Sequence, residues 1–170
     1  MDIKIDSANE HFKFRVAGIV EHNGKYLAVK MDNNDFYCLP GGHAEIGEDT
    51  VSATKREMCE ELGYEVKVKR LAGIAQNFYD RLTKDGATKK FHEFSYYYIV
   101  EPANADQINE NNYTRQENDK GVIKTLQFVW LTKEEFKKVP FRPQFAANLL
   151  SSNRPLHIIN RGDEAEIAEI

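Results

Sequence analysis

The chain has 170 residues, 41% hydrophobic and 29% charged, with a formal net charge of −4. That length suits one domain able to bury a core, and the composition is that of a soluble globular protein. The mild acidity offers no basic footprint for nucleic acid, no apolar run approaches a membrane span, and the opening MDIKIDSANEHFK lacks the apolar core of a signal peptide.

Cys38 and Cys59 are too few for a disulfide framework and share no ligand-like spacing with other Cys or His. Reduced thiols in a cytoplasmic protein are the expectation.

Residues 1–10 are polar and read as a loose lead-in. The runs FKFRVAGIV (12–20) and KYLAVKM (25–31) are strand-like and flank Asn23-Gly24, the pair a type I′ hairpin turn demands. The DNND stretch at 32–35 reads as a second turn and 36–39 as a third short strand, stopped by Pro40-Gly41-Gly42. DNND is no calcium loop, because the central glycine and terminal glutamate are missing. A helix is predicted from Asp49-Thr50, either of which can cap its first turn. Val51, Met58 and Leu62 form its apolar stripe, and Gly63 ends it. Residues 64–79 form a long strand pattern with a bend at Gly73, 80–90 a polar hairpin connection, and 91–100 (FHEFSYYYIV) an aromatic strand. Residues 101–121 read as the longest structureless run, a length that points to function or disorder. A strand follows at 125–131, then a short helix with Thr132 and Glu135 as a capping box. A further helix is predicted over 144–151 and a last short strand in RPLHIINR. The acidic tail 162–170 is expected to fray, with Ile167 and Ile170 able to dock.

The stretch 42–64, GHAEIGEDTVSATKREMCEELGY, carries the chemistry. At about 100° per residue, Glu57, Glu60 and Glu61 span an arc of roughly 100° away from the apolar stripe. Two carboxylates about 5 Å apart repel by roughly 3 kcal/mol at an effective dielectric of about 20. Three together either splay into water or hold a cation. A divalent ion with hard oxygen ligands, Mg²⁺ above all, suits carboxylates at this spacing.

The same stretch resembles the box of the Nudix hydrolases, G-x5-E-x7-R-E-U-x-E-E-x-G-U, with U an apolar residue. Gly42, Glu48, Arg56, Glu57, Glu60, Glu61 and Gly63 all stand in register, and only the last position departs, with Tyr64 for an aliphatic residue. At about 7% usage per residue type, such a match arises by chance on the order of once in 10⁶ chains of this length. An isolated REMCEE would read as a solvated acidic helix face; the flanking residues in register weigh against that.

The resemblance implies an α/β protein: a Nudix-type α/β/α sandwich around a mixed β-sheet. Residues 1–170 would form a single domain with its core at about 12–160. It also implies metal-dependent hydrolysis of a phosphoanhydride in a nucleoside diphosphate linked to another moiety. Nucleoside triphosphates, nucleotide sugars, ADP-ribose and dinucleoside polyphosphates are all of that type. Carried over residue by residue, Glu60 and Glu61 are metal ligands, Glu57 is a ligand or the base orienting water, and the Gly41 carbonyl is a further ligand. The metal would be Mg²⁺, with Mn²⁺ as substitute. Glu48 and Arg56 would form a brace beside Gly42 and Gly63.

Outside the box, Glu93 is a further acidic ligand or base if Phe91, Glu93 and Ser95 share a face, and Glu117 competes for that role. Tyr79 stands where a substrate-class residue falls in the family, and Arg15 and Lys30 are phosphate-binding candidates on early strands. Each also has a plain reading as packing or surface charge. The expected partner is a small nucleotide derivative, without nucleic acid or membrane, and family members often form homodimers. Two rivals stay open: a catalytically silent nucleotide-binding Nudix-like domain, and a Nudix-fold enzyme of another reaction type.

Overall fold

Asn23 and Gly24 turn the chain with φ of 52° and 74° and join β2 (Glu10–His22) to β3 (Lys25–Met31). This hairpin starts the sheet in a computed structural model describing residues 1–32, 34–83, 85–119, 121–162 and 165–170. The remaining strands are β1 (Lys4–Asp6), β4 (Val66–Leu82), β5 (Thr88–Pro102), β6 (Tyr113–Asp119), β7 (Val122–Thr132), β8 (Leu156–Asn160) and β9 (Ala165–Glu169). Among the described residues they form one sheet in the order β6-β7-β3-β2-β5-β4-β8-β9, with β1 paired to β2. The sheet is mixed: β2–β5 and β4–β8 run parallel, the other pairs antiparallel.

Helices cover both faces. On one, α1 (Thr50–Leu62) sets Met58 and Leu62 against Val20, Tyr98 and Phe128. On the other, α2 (Lys133–Lys138) and α3 (Ala146–Leu149) bring Phe136 and Leu149 against Ile19, Tyr97 and Ile158. The expected α/β sandwich around a mixed sheet is thus the observed one. No helix among the described residues is long and apolar enough to cross a membrane.

Local chemistry explains the helix ends. Asp49 accepts hydrogen bonds from the Val51 and Ser52 N–H groups at 2.9 Å each, satisfying donors that the first turn leaves unpaired. Gly63 takes φ 80° and donates to the Cys59 carbonyl. Thr132 and Glu135 form the expected capping box at α2.

Three regions differ from the sequence reading, all at strand edges. The lead-in contains β1, which pairs Lys4↔Lys13 and Ile5↔Phe12. The run 101–121 is structured, with a 3-10 turn at Ala105–Gln107 and then β6, held by Tyr113↔Phe128 pairing and ring stacking at 4.7 Å. The tail carries β9, paired to β8 through Ile158↔Ile167. Such strands need no apolar face of their own, because a neighbour's backbone supplies their hydrogen bonds. Conversely, 36–39 forms only isolated bridges, Val29↔Cys38 and Tyr37↔Phe141. Parts of four predicted segments lie outside the described residues: Asn33 of DNND, Lys84 of the 80–90 connection, Lys120 of the 101–121 run, and Asp163 and Glu164 of the tail.

The feature that creates a site is a split in the sheet. β2 and β3 pair at Glu21↔Tyr26 and His22↔Lys25, then diverge. Residues 38–44 enter the gap: Val16 N–H donates to the Gly42 carbonyl at 2.9 Å and Gly18 N–H to that of Pro40 at 3.0 Å, while Cys38 N–H donates to Val29 at 2.9 Å. The loop before α1 is therefore stitched to both strands.

Candidate active site

That loop and α1 border a cleft of about 1370 Å³, reached by Arg15, Gly41, Gly42, Glu57, Glu60 and Glu61. The three carboxylates differ in setting. Glu60 is half exposed and Glu57 only 13% exposed. Burial raises the Glu57 pKa above the usual carboxyl range, against the pull of Arg56. Glu61 accepts from the Gly41 N–H at 3.0 Å, yet burial pushes its pKa up to about 8, with Arg15 opposing and Glu117 adding to the rise. A carboxyl under that strain is stabilised by any cation that reaches it.

Two arginines stand among these oxygens. Arg56 donates to Glu48 through Nε and Nη2, both at 2.9 Å, and to the His43 carbonyl at 2.9 Å. Its Nη1 lies 2.7 Å from Glu57 Oε1 and 3.4 Å from Glu60 Oε2. The hydrogen bonds to Arg56 hold Glu48 below its ordinary pKa. Arg15 Nη2 donates to the Leu39 and Gly41 carbonyls at 2.9 and 3.0 Å. Burial disfavours the Arg15 charge, but Cys38, Glu93, Tyr97 and Glu61 outweigh it and raise the pKa. A Cβ at Gly42 would overlap the Glu57 carboxylate, so a side chain there would push that carboxylate aside.

No ready-made cluster of three acidic, His or Cys groups at metal-holding spacing exists among the described residues. The donor set nonetheless fits a hard divalent ion. Glu57, Glu60, Glu61 and the Gly41 carbonyl are all oxygen donors bordering one cleft, and guanidinium groups already sit against three of these four.

The other anticipated residues fall out as follows. Glu93 is 4% exposed and shares a face with Ser95, whose hydroxyl donates to it at 3.0 Å. Lys13 Nζ lies 2.5 Å from it. Burial opposes the Glu93 charge, but Lys13 and Arg15 hold its pKa below the usual value. Glu117 lies on β6, not in a loop, and borders the cleft with Tyr79, whose ring stacks on Phe91 at 5.1 Å. Arg15 is occupied as a loop brace as well as facing the cleft. Lys30 does not reach the cleft wall; its Nζ sits 5.7 Å from the Tyr37 ring centroid, because the alternation of β3 sends it over that ring.

Lys13, Asn77 and Asn160 also border the cleft and were not anticipated. For Lys13 a signal was present, since it stands two residues from Arg15 and shares its strand face. Asn77 and Asn160 follow the buried Ala75 and Ile158 on their strand faces, a change from core to cleft visible in sequence only once the strands are paired.

The NUDIX domain model matches residues 11–150. A curated ADP-ribose pyrophosphatase from Methanocaldococcus jannaschii is 43% identical over 67 residues, 38% of this chain and 40% of that protein. A MutT-like protein from Streptomyces ambofaciens is 38% identical over 63 residues, 36% of this chain and 41% of that protein. The matched stretches thus span about two fifths of each curated relative. Among solved structures, a MutT protein from Bacillus halodurans superposes with a TM-score of 0.59 at 19% identity, covering 91% of this chain and 97% of its own. An ADP-ribose pyrophosphatase from Streptococcus suis gives 0.55 at 14% identity, covering 87% and 98%. These likenesses show the shared fold, and with the domain match over residues 11–150 the chain belongs to the Nudix family.

Proposed function

We propose that this protein is a divalent-metal-dependent pyrophosphohydrolase that cleaves a phosphoanhydride in a nucleoside diphosphate linked to another moiety. The observation that carries the reading is the convergence of Glu57, Glu60 and Glu61 on one cleft, with the Gly41 backbone and Arg15 opposite. We read residues 1–170 as one domain. Both cysteines are free, which suits a reducing cytoplasm.

In this reading Glu60, Glu61 and the Gly41 carbonyl would hold Mg²⁺, or Mn²⁺ in its place, and Glu57, ligand or base by resemblance, serves here as the base. When bound, the ion supplies charge neutralisation on the phosphate oxygens and lowers the pKa of water. Arg56 orients Glu57 and Glu60 and, through Glu48 and the His43 carbonyl, fixes the loop to the helix. Glu57, set between Gly42 and Arg56, accepts the proton from the attacking water. One P–O bond forms to the water oxygen and the bridging P–O bond breaks. The products are a nucleoside monophosphate and the phosphorylated remainder, or pyrophosphate from a triphosphate. Arg15 and Lys13 face the phosphates. Glu93, buried and paired with Lys13, is a positioning residue in this scheme and not the base.

The name of the Methanocaldococcus jannaschii relative puts ADP-ribose at the head of the substrate panel, followed by nucleotide sugars, dinucleoside polyphosphates and nucleoside triphosphates. The test is release of monophosphate from each, with and without Mg²⁺ or Mn²⁺. Turnover that needs the ion and disappears in Glu60→Gln supports the reading. Binding without turnover under every ion would leave a silent nucleotide-binding domain in its place.

A further inference from the structure

β8 and β9 lie beyond the residues that the Nudix domain model matches, yet Asn160, at the end of β8, helps wall the cleft. The strand register shows what this addition brings. Lys13 of β2 pairs with Glu93 of β5, Glu93 with Asn77 of β4, and Asn77 with Asn160 of β8. These four residues form one row across the sheet, on the face that opens to the cleft. With strands about 4.8 Å apart, the row runs roughly 14 Å from Lys13 to Asn160. The next row down is Arg15, Ser95, Ala75 and Ile158, and there the core begins, since Ala75 and Ile158 are fully buried.

The polar row is satisfied unevenly. At one end Glu93 is bonded by Lys13 and Ser95. At the other, Asn160 Nδ2 donates to Asn77 Oδ1 at 2.6 Å, and Asn77 is only 8% exposed. That bond uses one donor and one acceptor of two carboxamides. It leaves one donor group on Asn77 and one acceptor on Asn160, both residues of the cleft wall, and reversing both amides only exchanges the two roles. The remaining groups are not among the buried unpaired polar atoms of the described residues, so water or a ligand in the cleft can complete them. Tyr79, two residues along β4 on the same face, adds an aromatic surface whose orientation Phe91 fixes.

We infer that Asn77 and Asn160 form a nucleobase subsite, reading the donor–acceptor edge of the base while Lys13 and Arg15 hold the phosphate end, beside the divalent ion that the α1 carboxylates would bind. Carboxamides read bases elsewhere through the same planar donor–acceptor match. A site built to hydrogen-bond a ligand group rejects analogues lacking that group far more strongly than an apolar pocket does. The inference rests on the nucleotide-hydrolase reading above and names which end of the substrate selects it.

The test is calorimetric titration of the full chain with α,β-methylene nucleoside diphosphates in matched pairs: adenine against unsubstituted purine, and uracil against 3-methyluracil. The wild type should prefer the intact edge in at least one pair by about tenfold or more. Asn160→Ala should reduce that preference to about twofold or less. Asn160→Asp, which keeps the shape and removes the N–H₂, should lose the same preference and serves if the alanine variant does not fold. The inference is overturned if the wild type binds none of the four, if it binds both members of each pair equally, or if both variants keep the preference. Base selection that depends on Asn160 without hydrolysis under any ion would defeat the hydrolase reading and leave the subsite standing. Hydrolysis with base selection indifferent to Asn160 would do the reverse.

Discussion

The loop-helix segment around α1 and the strands at the sheet's outer edges are built on opposite terms. In the first, each residue is fixed by several others at once. Arg56 alone ties Glu48, Glu57, Glu60 and the His43 carbonyl together, and the Glu57 carboxylate fills the space beside Gly42. At the edges, β1, β6 and β9 are held mainly by backbone pairing to one neighbour, and many of their side chains are exposed. A crowded local network tolerates few substitutions, whereas a one-sided ladder tolerates many. The two regions should therefore respond to mutation on very different scales.

The largest effect is expected at Glu60. Glu60→Gln removes a charged oxygen donor from a half-exposed side chain without touching the buried face of α1. Turnover should fall by about 100-fold or more, since metal-centred charge stabilisation contributes several kcal/mol, while the melting temperature stays near the wild type. Steady-state rates over an Mg²⁺ titration check this, and wild-type turnover at limiting Mg²⁺ would count against the metal site.

Glu61 gives the next effect, read through pH. Its carboxyl titrates near 4.5 ordinarily and at about 8 in the fold. A folded-state pKa above the unfolded one means the folded state holds the proton more tightly. The contribution is therefore fully present below pH 4.5 and is lost as pH rises through 8. Chemical denaturation without divalent ions should show stability falling across that window, by up to a few kcal/mol. Glu61→Gln should flatten the profile, and added Mg²⁺ should restore stability at the alkaline end of the wild-type curve.

Arg56→Ala comes third. It strips hydrogen bonds from Glu48 and Glu57, both largely buried, at a cost of about 2 kcal/mol, read as a lower melting temperature. Arg56→Lys keeps the charge but cannot span Glu48 and the His43 carbonyl together, so it should recover only part of the loss. Equal stability of both variants with the wild type would show that the brace is ornamental.

The same contrast explains what could be read in the sequence. Asp49, Gly63 and the box residues act within one turn or one loop, so their spacing along the chain already encodes their geometry. The hairpin at Asn23-Gly24 and the capping box at Thr132 and Glu135 were legible for that reason. β6 was not, because YTRQEND offers no apolar face and takes its register from β7, residue by residue. The Lys13–Glu93–Asn77–Asn160 row was out of reach, since its members come from four strands and meet only through the order of the sheet. Glu93 and Ser95 could be given one face from alternation, but their partner Lys13 could not be named before β2 and β5 were known to be parallel.

The smallest effect is expected where β6 and β7 join. Ile123 is 59% exposed and pairs through its backbone with Asn118. Ile123→Thr keeps the β-branched shape and the strand propensity and removes apolar surface that water already reaches. Stability should therefore move by less than about 0.5 kcal/mol, and turnover should stay unchanged. Met58→Ala on α1 is the matching control, because Met58 is fully buried against Gly18 and the α1-side core, where truncation costs about 2–5 kcal/mol. If denaturation found Ile123→Thr as damaging as Met58→Ala, the edge strands would share the core's cooperativity. The division between an over-determined loop-helix segment and permissive edges would then fail.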